Sequence, residues 1–250
     1  MKYNIRTIKT GVVSAPQDDL LKHIRTSQLS LKEGDIVAVT SKVVGIWEGR
    51  TVAIGSIAKD DLIKQESQFW LHRRNVFGKR VMHTITQGLL IPSAGIDESN
   101  GNGWYILYPQ DPYASARKLL RFFKKHYRVK RLGVILTDSH STIWRRGVTG
   151  FSLAHAGFPP LVDYRGTKDI FGRPFHFSQT NVPDALAAAA VVAMGEGSEQ
   201  TPLAVLSGTP YTFLPSRKNP RPHSSFDVSL KEDLFAPFLK RAPWKKGKAR

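Results

Sequence analysis

Apolar positions along the chain follow two rhythms, one of short runs and one of helical spacing. Asp35-Ile-Val-Ala-Val-Thr40 is a β-branched run behind a Glu33-Gly34 turn, and it reads as a buried strand that carries Ser41 and Lys42 to a sheet edge. Tyr105 to Tyr108, Leu132 to Asp138 and Leu203 to Leu206 have the same short-strand character. After Pro112, by contrast, Ala116, Leu119, Leu120, Phe123 and Tyr127 recur at helical spacing among Arg117, Lys118, Arg121, Lys124, Lys125 and Arg128, which predicts a helix with one face on a core. Pro183 and Asp184 cap a second helix over the alanine-rich stretch from Ala185 to Met194, and Gly195 closes it. Residues 56 to 76 are rich in charge and read as helical, while Gly88 to Ile96 is apolar up to Gly95 and runs into Asp97. Pro210, Pro215, Pro220 and Pro222 then end the pattern, so a core domain is expected over 1–206 and a basic, proline-rich extension over 207–250.

Composition narrows the class. A chain of 250 residues that is 41% hydrophobic can bury a full core. The absence of cysteine excludes a disulfide framework and thiolate zinc sites. Met1 to Val13 carries Lys2, Arg6 and Lys9 with no signal-like apolar stretch, and no run approaches a membrane span, so a cytoplasmic location and no membrane partner are expected. Charge adds a complication: the net value is +17, and residues 215 to 250 hold ten basic residues against three acidic ones. Such an excess attracts phosphates, so nucleic acid held through the basic tail is a partner to consider, beside the plainer reading of a solvated terminus.

Candidate chemistry lies where acids end apolar runs, because an ionised carboxylate beside a buried strand is costly unless paired or bound to a cation. Asp97 and Asp138 both occupy such positions, although each could be a turn residue. Glu196 follows the expected end of the alanine-rich helix, where negative charge opposes the helix dipole by roughly 0.3–1 kcal/mol. Two aspartates, a glutamate and Ser139 are hard oxygen donors that suit Mg²⁺ or Mn²⁺. Gly195-Glu-Gly-Ser198 has the backbone freedom to bring N–H groups to a phosphate, and Arg145 and Arg146 could bring guanidinium groups there. His140 is a candidate acid or base. Neither a P-loop nor a dinucleotide fingerprint is present, so a nucleotide would have to be held differently.

In order along the chain, Ser93-Ala-Gly-Ile-Asp-Glu-Ser-Asn100, Tyr108-Pro-Gln-Asp-Pro112, Thr137-Asp-Ser139, Arg145-Arg-Gly147, Asp163-Tyr-Arg-Gly166, Gly172-Arg-Pro174 and Met194-Gly-Glu196 resemble the motifs of the GTP-dependent ligases that add glutamate to the deazaflavin coenzyme F-420. The resemblance spans the core through Leu206. It implies an α+β, mixed-sheet fold built as an intertwined homodimer. It also implies divalent metal at Asp97, Asp138, Ser139 and Glu196, with two Mg²⁺ or Mn²⁺ ions as the expected cofactors and GTP or ATP as co-substrate. Nucleotide contact is implied at Ser41, Lys42 and Asn100, at Met194, Gly195, Gly197, Ser198 and Thr201, and more weakly at Gly11 to Ser14. Asp138, Arg145 and Arg146 are the expected catalytic residues. Departures accompany the matches: a family lysine is replaced by Ile46, and a family Gly-Arg pair by Ser141 and Thr142. They widen the range of acceptors from a deazaflavin precursor to a folate-like molecule. The reading from sequence is therefore a ligase joining L-glutamate to a carboxylate on a small cofactor-like acceptor. The rival is an RNA- or polyanion-binding protein on the same scaffold.

Overall fold

The computed structural model of the protein describes residues 3–72, 74–76, 78–211, 213 and 226–249. The first elements are β1 (Asn4–Ile8), α1 (Leu20–Thr26), β2 (Asp35–Thr40), α2 (Ser41–Trp47), β3 (Thr51–Ala53) and α3 (Lys59–Glu66). Short strands follow: β4 (Phe69–Trp70), β5 (Arg74–Val76), β6 (Lys79–Val81), β7 (His83–Thr86) and β8 (Leu89–Pro92), then a 3-10 turn at Ser93–Gly95 and β9 (Trp104–Ile106). The remaining elements are α4 (Pro112–Tyr127), β10 (Leu132–His140), β11 (Thr149–Ala156), β12 (Leu161–Asp163), β13 (Gln179–Asn181), α5 (Val182–Met194), β14 (Leu203–Ser207), α6 (Ala236–Leu239) and β15 (Lys245–Lys246). The mixed α+β architecture expected from the sequence is present.

Five strands in the order β1-β14-β2-β10-β11 form the main sheet. Its central pair, β2 and β10, is parallel, with Asp35 opposite Leu132 and Thr40 opposite Thr137. Both strands read as unbroken apolar runs because both faces of the sheet are covered. Ile36, Ala38 and Ile135 pack on one face beneath Val182, Leu186, Ala187, Ala190 and Met194 of α5. Val37, Val39, Val134 and Leu136 pack on the other beneath Leu119, Leu120 and Phe123 of α4 and Leu20 and Ile24 of α1.

The ends of α4 and α5 are where local chemistry puts them. The Asp111 side chain accepts from the Ala114 amide at 2.8 Å and Pro112 fills the first turn of α4, while Arg128 leaves the helix in a left-handed conformation at φ 56°. Asn181 accepts from the Asp184 amide to start α5, and Gly195, at φ 81°, stops it as its sequence predicts. Leu119, Leu120 and Phe123 are fully or almost fully buried. At about 1.5–3 kcal/mol for each large apolar side chain, this face rather than intrinsic propensity holds α4 in place.

Two expectations change. The helix predicted over residues 56 to 76 is confined to Lys59–Glu66, because Phe69 and Trp70 find cross-strand partners in Ile85 and Thr84. Ser41 and Lys42 lie not at a sheet edge but at the carboxyl end of the sheet's middle strand, where α2 begins. A second sheet, β15-β4-β7-β8, is completed by the far end of the basic segment: Lys245 pairs with Trp70, Lys246 pairs with Phe69, and the Gly247 amide donates to the Gln68 carbonyl at 2.8 Å. A separate small core of Leu62, Ile63, Met82, Ala94, Ile96, Tyr105 and Leu107 supports the turn that presents Asp97. Pro215, Pro220 and Pro222 lie outside the described residues.

Candidate active site

A cavity of about 530 Å³ opens at the carboxyl ends of β2 and β10, the end of a parallel pair at which α/β proteins commonly bind ligands. Four stretches of chain build its wall: Lys42 at the start of α2, Asp97 and Asn100 after the 3-10 turn, Asp138 and Ser139 at the end of β10, and Met194 to Pro202 after α5. Gly11, Val12 and Val13 close another side, but Ser14 does not line it.

The charges are arranged in linked pairs. Lys42 Nζ lies 2.6 Å from Asp97 Oδ2 and donates to Ser99 Oγ at 3.0 Å. The Ser99 amide and hydroxyl in turn donate to Asp97 Oδ1 at 2.7 and 2.8 Å. Burial works against charge on Asp97, but these bonds outweigh it and hold the carboxyl below its ordinary range. Asp138 is the opposite case: burial pushes it up to about 6, with the nearby Asp97 charge adding to the rise, against hydrogen bonds from the Tyr108 hydroxyl and the Ser139 amide. The Tyr108 hydroxyl donates to Asp138 Oδ2, and burial next to that carboxylate pushes the phenol well above its usual value. Ser139 Oγ donates to Glu196 Oε2 at 3.2 Å, and Asn100 Nδ2 donates to the Gly197 carbonyl at 3.3 Å, so the loop after α5 is tied to both walls.

Unusual backbone geometry concentrates here. Ser93, Ala94 and Gly95 have φ values of 54°, 56° and 68° in succession, and non-glycine residues adopt that region at a cost of about 1–3 kcal/mol each. Gly95 is required twice: for its φ, and because a Cβ would come within 2.2 Å of the Tyr108 ring. The β10–β11 register shifts between Leu136 and Thr137, a bulge immediately before the Thr137-Asp-Ser139 segment. Thr137 is fully buried and lines the cavity, yet its hydroxyl has no hydrogen-bond partner among the described residues. A buried hydroxyl is rarely left that way unless a ligand or water completes it. Gly195 lies so close to Glu199 that a Cβ would come within 2.4 Å of its carboxylate carbon, and the Gly197 amide donates to Glu199 Oε2 at 2.8 Å.

The donors fit a divalent cation by chemistry. Asp97, Asp138, Ser139 and Glu196 all line the one cavity and offer hard oxygen. Burial, with a smaller addition from the Asp97 charge, holds Asp138 toward its neutral form, a penalty that a bound cation would offset. Among the described residues no three carboxylate or imidazole groups already form a ready-made cage, and Lys42 supplies the positive charge beside Asp97.

Lys42, Asn100, Met194, Gly195, Gly197, Ser198 and Thr201 also line the cavity, whereas Ser41 is buried beneath it as the first residue of α2. Arg145 and Arg146 stand apart, on the exposed loop between β10 and β11, where Arg145 Nη1 donates to the Trp144 carbonyl at 3.3 Å. His140 packs against Phe151 outside the cavity lining, and burial lowers its pKa. Ile46, the replacement for a family lysine, faces the cavity, and Ser141 and Thr142 are exposed on the Arg145 loop. Sequence reasoning missed Tyr108 and Thr137, whereas Glu199 falls inside the Met194 to Thr201 segment expected to contact nucleotide. Both open motifs of the family resemblance, Tyr108 before Pro109 and Thr137 before Asp138.

A mixed α+β chain with lysine, carboxylates and an incomplete hydroxyl around one cavity has the construction of a protein that binds a small polar molecule. The sequence profile of the F420-0:Gamma-glutamyl ligase family matches residues 7–208, and the chain belongs to that family. Coenzyme F420:L-glutamate ligase of Methanopyrus kandleri is 32% identical over 213 residues, covering 77% of this chain and 82% of the relative. The proteins of the same name from Archaeoglobus fulgidus and Methanothermobacter thermautotrophicus are 31% and 30% identical, covering 79% and 77% of this chain and 85% and 82% of their own lengths. No helix among the described residues is long and apolar enough to cross a membrane.

Proposed function

We propose that the protein is a ligase that forms an amide between L-glutamate and a carboxylate of a small cofactor-type acceptor, driven by GTP or ATP. The observation that carries this reading is the meeting in one cavity of Lys42, Asp97, Asn100, Asp138, Ser139 and Glu196, in a chain whose relatives are named for glutamate ligation. A carboxylate resists attack by an amine because oxide would have to leave. In the proposed reaction the acceptor carboxylate takes the γ-phosphoryl group as its bond to the nucleoside diphosphate breaks, and an acyl phosphate forms. The glutamate amine then attacks the acyl carbon, a C–N bond forms, phosphate leaves, and the amine gives up its proton. Magnesium or manganese held by Asp97, Asp138, Ser139 and Glu196 would neutralise phosphate charge. Lys42 adds a fixed positive charge, and Thr137 offers a hydroxyl to an oxygen of the bound reactants.

The test labels the acceptor carboxylate with heavy oxygen. The label should appear in released inorganic phosphate. Unlabelled phosphate, or cleavage of the nucleotide to monophosphate and pyrophosphate, overturns the mechanism.

The same proposal includes a homodimer, supported by Trp144, Ile170, Phe171 and Phe177, which are 83–93% exposed on the β10–β11 and β12–β13 connections. Light scattering on the purified protein checks it. The RNA-binding reading keeps one specific support: no acid occurs within α4, whose outer side carries Arg117, Lys118, Arg121 and Lys125. Salt-sensitive RNA binding without glutamate-stimulated nucleotide turnover would favour it.

A further inference from the structure

The two aspartates that face the cavity are carried by different parts of the fold. Asp138 ends β10 of the main sheet, whereas Asp97 follows the left-handed turn supported by the small core of Ile63, Met82 and Ala94. Asp97 is locked to Ile106 by a pair of backbone hydrogen bonds, Asp97 N to Ile106 O at 3.0 Å and Ile106 N to Asp97 O at 2.8 Å. Two residues beyond Ile106, Tyr108 donates its hydroxyl to Asp138 Oδ2. One short stretch of backbone thus holds the Asp97 carrier at one end and grips the other carboxylate through its phenol. The grip depends on the turn. Gly95 leaves the space in which the Tyr108 ring lies, and the turn is pinned from beneath by the buried Thr84 hydroxyl, which accepts from the Ala94 amide at 2.9 Å and donates to the Ile91 carbonyl at 2.7 Å. Two left-handed non-glycine residues, Ser93 and Ala94, persist because these contacts over-determine them.

We infer that Tyr108 is a positioning residue: with Gly95 behind its ring, it fixes the Asp138 carboxylate relative to Asp97 and so sets the separation of the two acids across the cavity. Its catalytic consequence rests on the ligase reading above; its structural consequence does not. A phenol donor suits this task because a rigid, packed ring fixes the direction of its bond to Asp138 Oδ2, beside the bond that the carboxylate also takes from the Ser139 amide. Rigid outer partners of this kind commonly change metal affinity or activity by roughly 10–100-fold when removed.

The deciding variant is Tyr108→Phe, which keeps the ring and deletes the hydroxyl. A crystal structure of it should show the Asp138 carboxylate rotated or split between orientations while Ser93 to Asp97 stay in place. Manganese binding to the nucleotide-free protein, followed by calorimetry, should weaken at least tenfold, and kcat should fall with little change in KM for glutamate. Gly95→Ala, which drives a methyl group into the Tyr108 ring, should give the same split, and adding it to Tyr108→Phe should weaken metal binding little further because both remove one bond. If Gly95→Ala does not fold, Tyr108→Phe decides alone. Wild-type protein that binds no manganese and makes no glutamyl product would sink the ligase reading, and the Asp138 orientation would still judge this one. An Asp138 carboxylate that stays put in Tyr108→Phe, or metal affinity and kcat within twofold of wild type in a competent ligase, overturns the inference.

Discussion

Asp138 on β10 and His155 on β11 lie on neighbouring strands and are both pushed toward their neutral forms by burial, yet their surroundings differ in kind. Asp138 rises to about 6, but it looks into a cavity that also holds Asp97 and Lys42, and it is held by the Tyr108 hydroxyl. His155 falls to about 4 among the rings of Tyr113, Phe158 and Phe226, at centroid distances of 5.5–5.7 Å, and its Nδ1 has no hydrogen bond among the described residues. The same penalty therefore falls on a carboxylate that faces a cavity beside a second acid and a lysine in one place, and on an imidazole packed among rings in the other. A displaced pKa points to chemistry only where partners and space can exploit it.

The largest expected effect separates the two by activity. Asp138→Asn should cut turnover by roughly 100-fold or more and weaken manganese binding, while His155→Leu should leave both within about twofold; steady-state rates and calorimetry check this. Comparable losses in both variants would erase the distinction.

The next effect concerns stability, and its signs are opposite. Asp138 has a folded pKa above its unfolded value, so the folded state holds the proton longer and this group lowers stability as pH rises from about 4 to about 6. His155 has a folded pKa below its unfolded value, so its contribution is present above about 6.5 and is lost as pH falls toward 4. Each amounts to at most about 3 kcal/mol, so the two largely cancel in the ligand-free protein. Urea unfolding at pH 4.5 and 7 should show Asp138→Asn gaining stability with pH more steeply than wild type, and His155→Leu losing it. Slopes unchanged from wild type would show that burial does not govern these groups.

The smallest effect tests a residue that shares features of both. Thr137 is orphaned like His155 but lines the cavity like Asp138. Thr137→Val should leave stability unchanged or raise it by up to about 1 kcal/mol, while raising the KM for nucleotide or acceptor several-fold. A stability loss above about 1 kcal/mol would mean that the hydroxyl has a structural partner.

Much of this arrangement was legible in the chain. β2, β10, α4 and α5 follow from runs whose periodicity agrees with their burial, and Asp97, Asp138 and Glu196 stand out because charge ends an apolar stretch. What could not be read depends on contacts between distant segments. Phe69 and Trp70 look like a continuation of α3 until Thr84 and Ile85 pair with them, and Lys245-Lys246 has no apolar signal at all. Arg145 and Arg146, expected to bring guanidinium groups to a phosphate, lie on the exposed β10–β11 loop outside the cavity lining, because where that loop runs depends on the strand pairing and not on local sequence. The Tyr108 bond to Asp138 was hidden because it needs the left-handed turn at Ser93 to Gly95, which the apolar pattern of that segment does not announce.

The pairing of β15 with β4 has a consequence for how the protein comes into being. Residue 70 leaves the ribosome long before residue 245, and at roughly 5–20 residues per second the interval is on the order of ten seconds or more. Throughout it the Phe69–Trp70 edge can pair with β7 on one side only, and its other side offers unpaired peptide groups beside two aromatic rings. The nascent chain thus carries an open, sticky strand for most of its synthesis, and the segment that finally covers it brings two lysines, whose charge keeps the newly formed outer edge from recruiting another molecule.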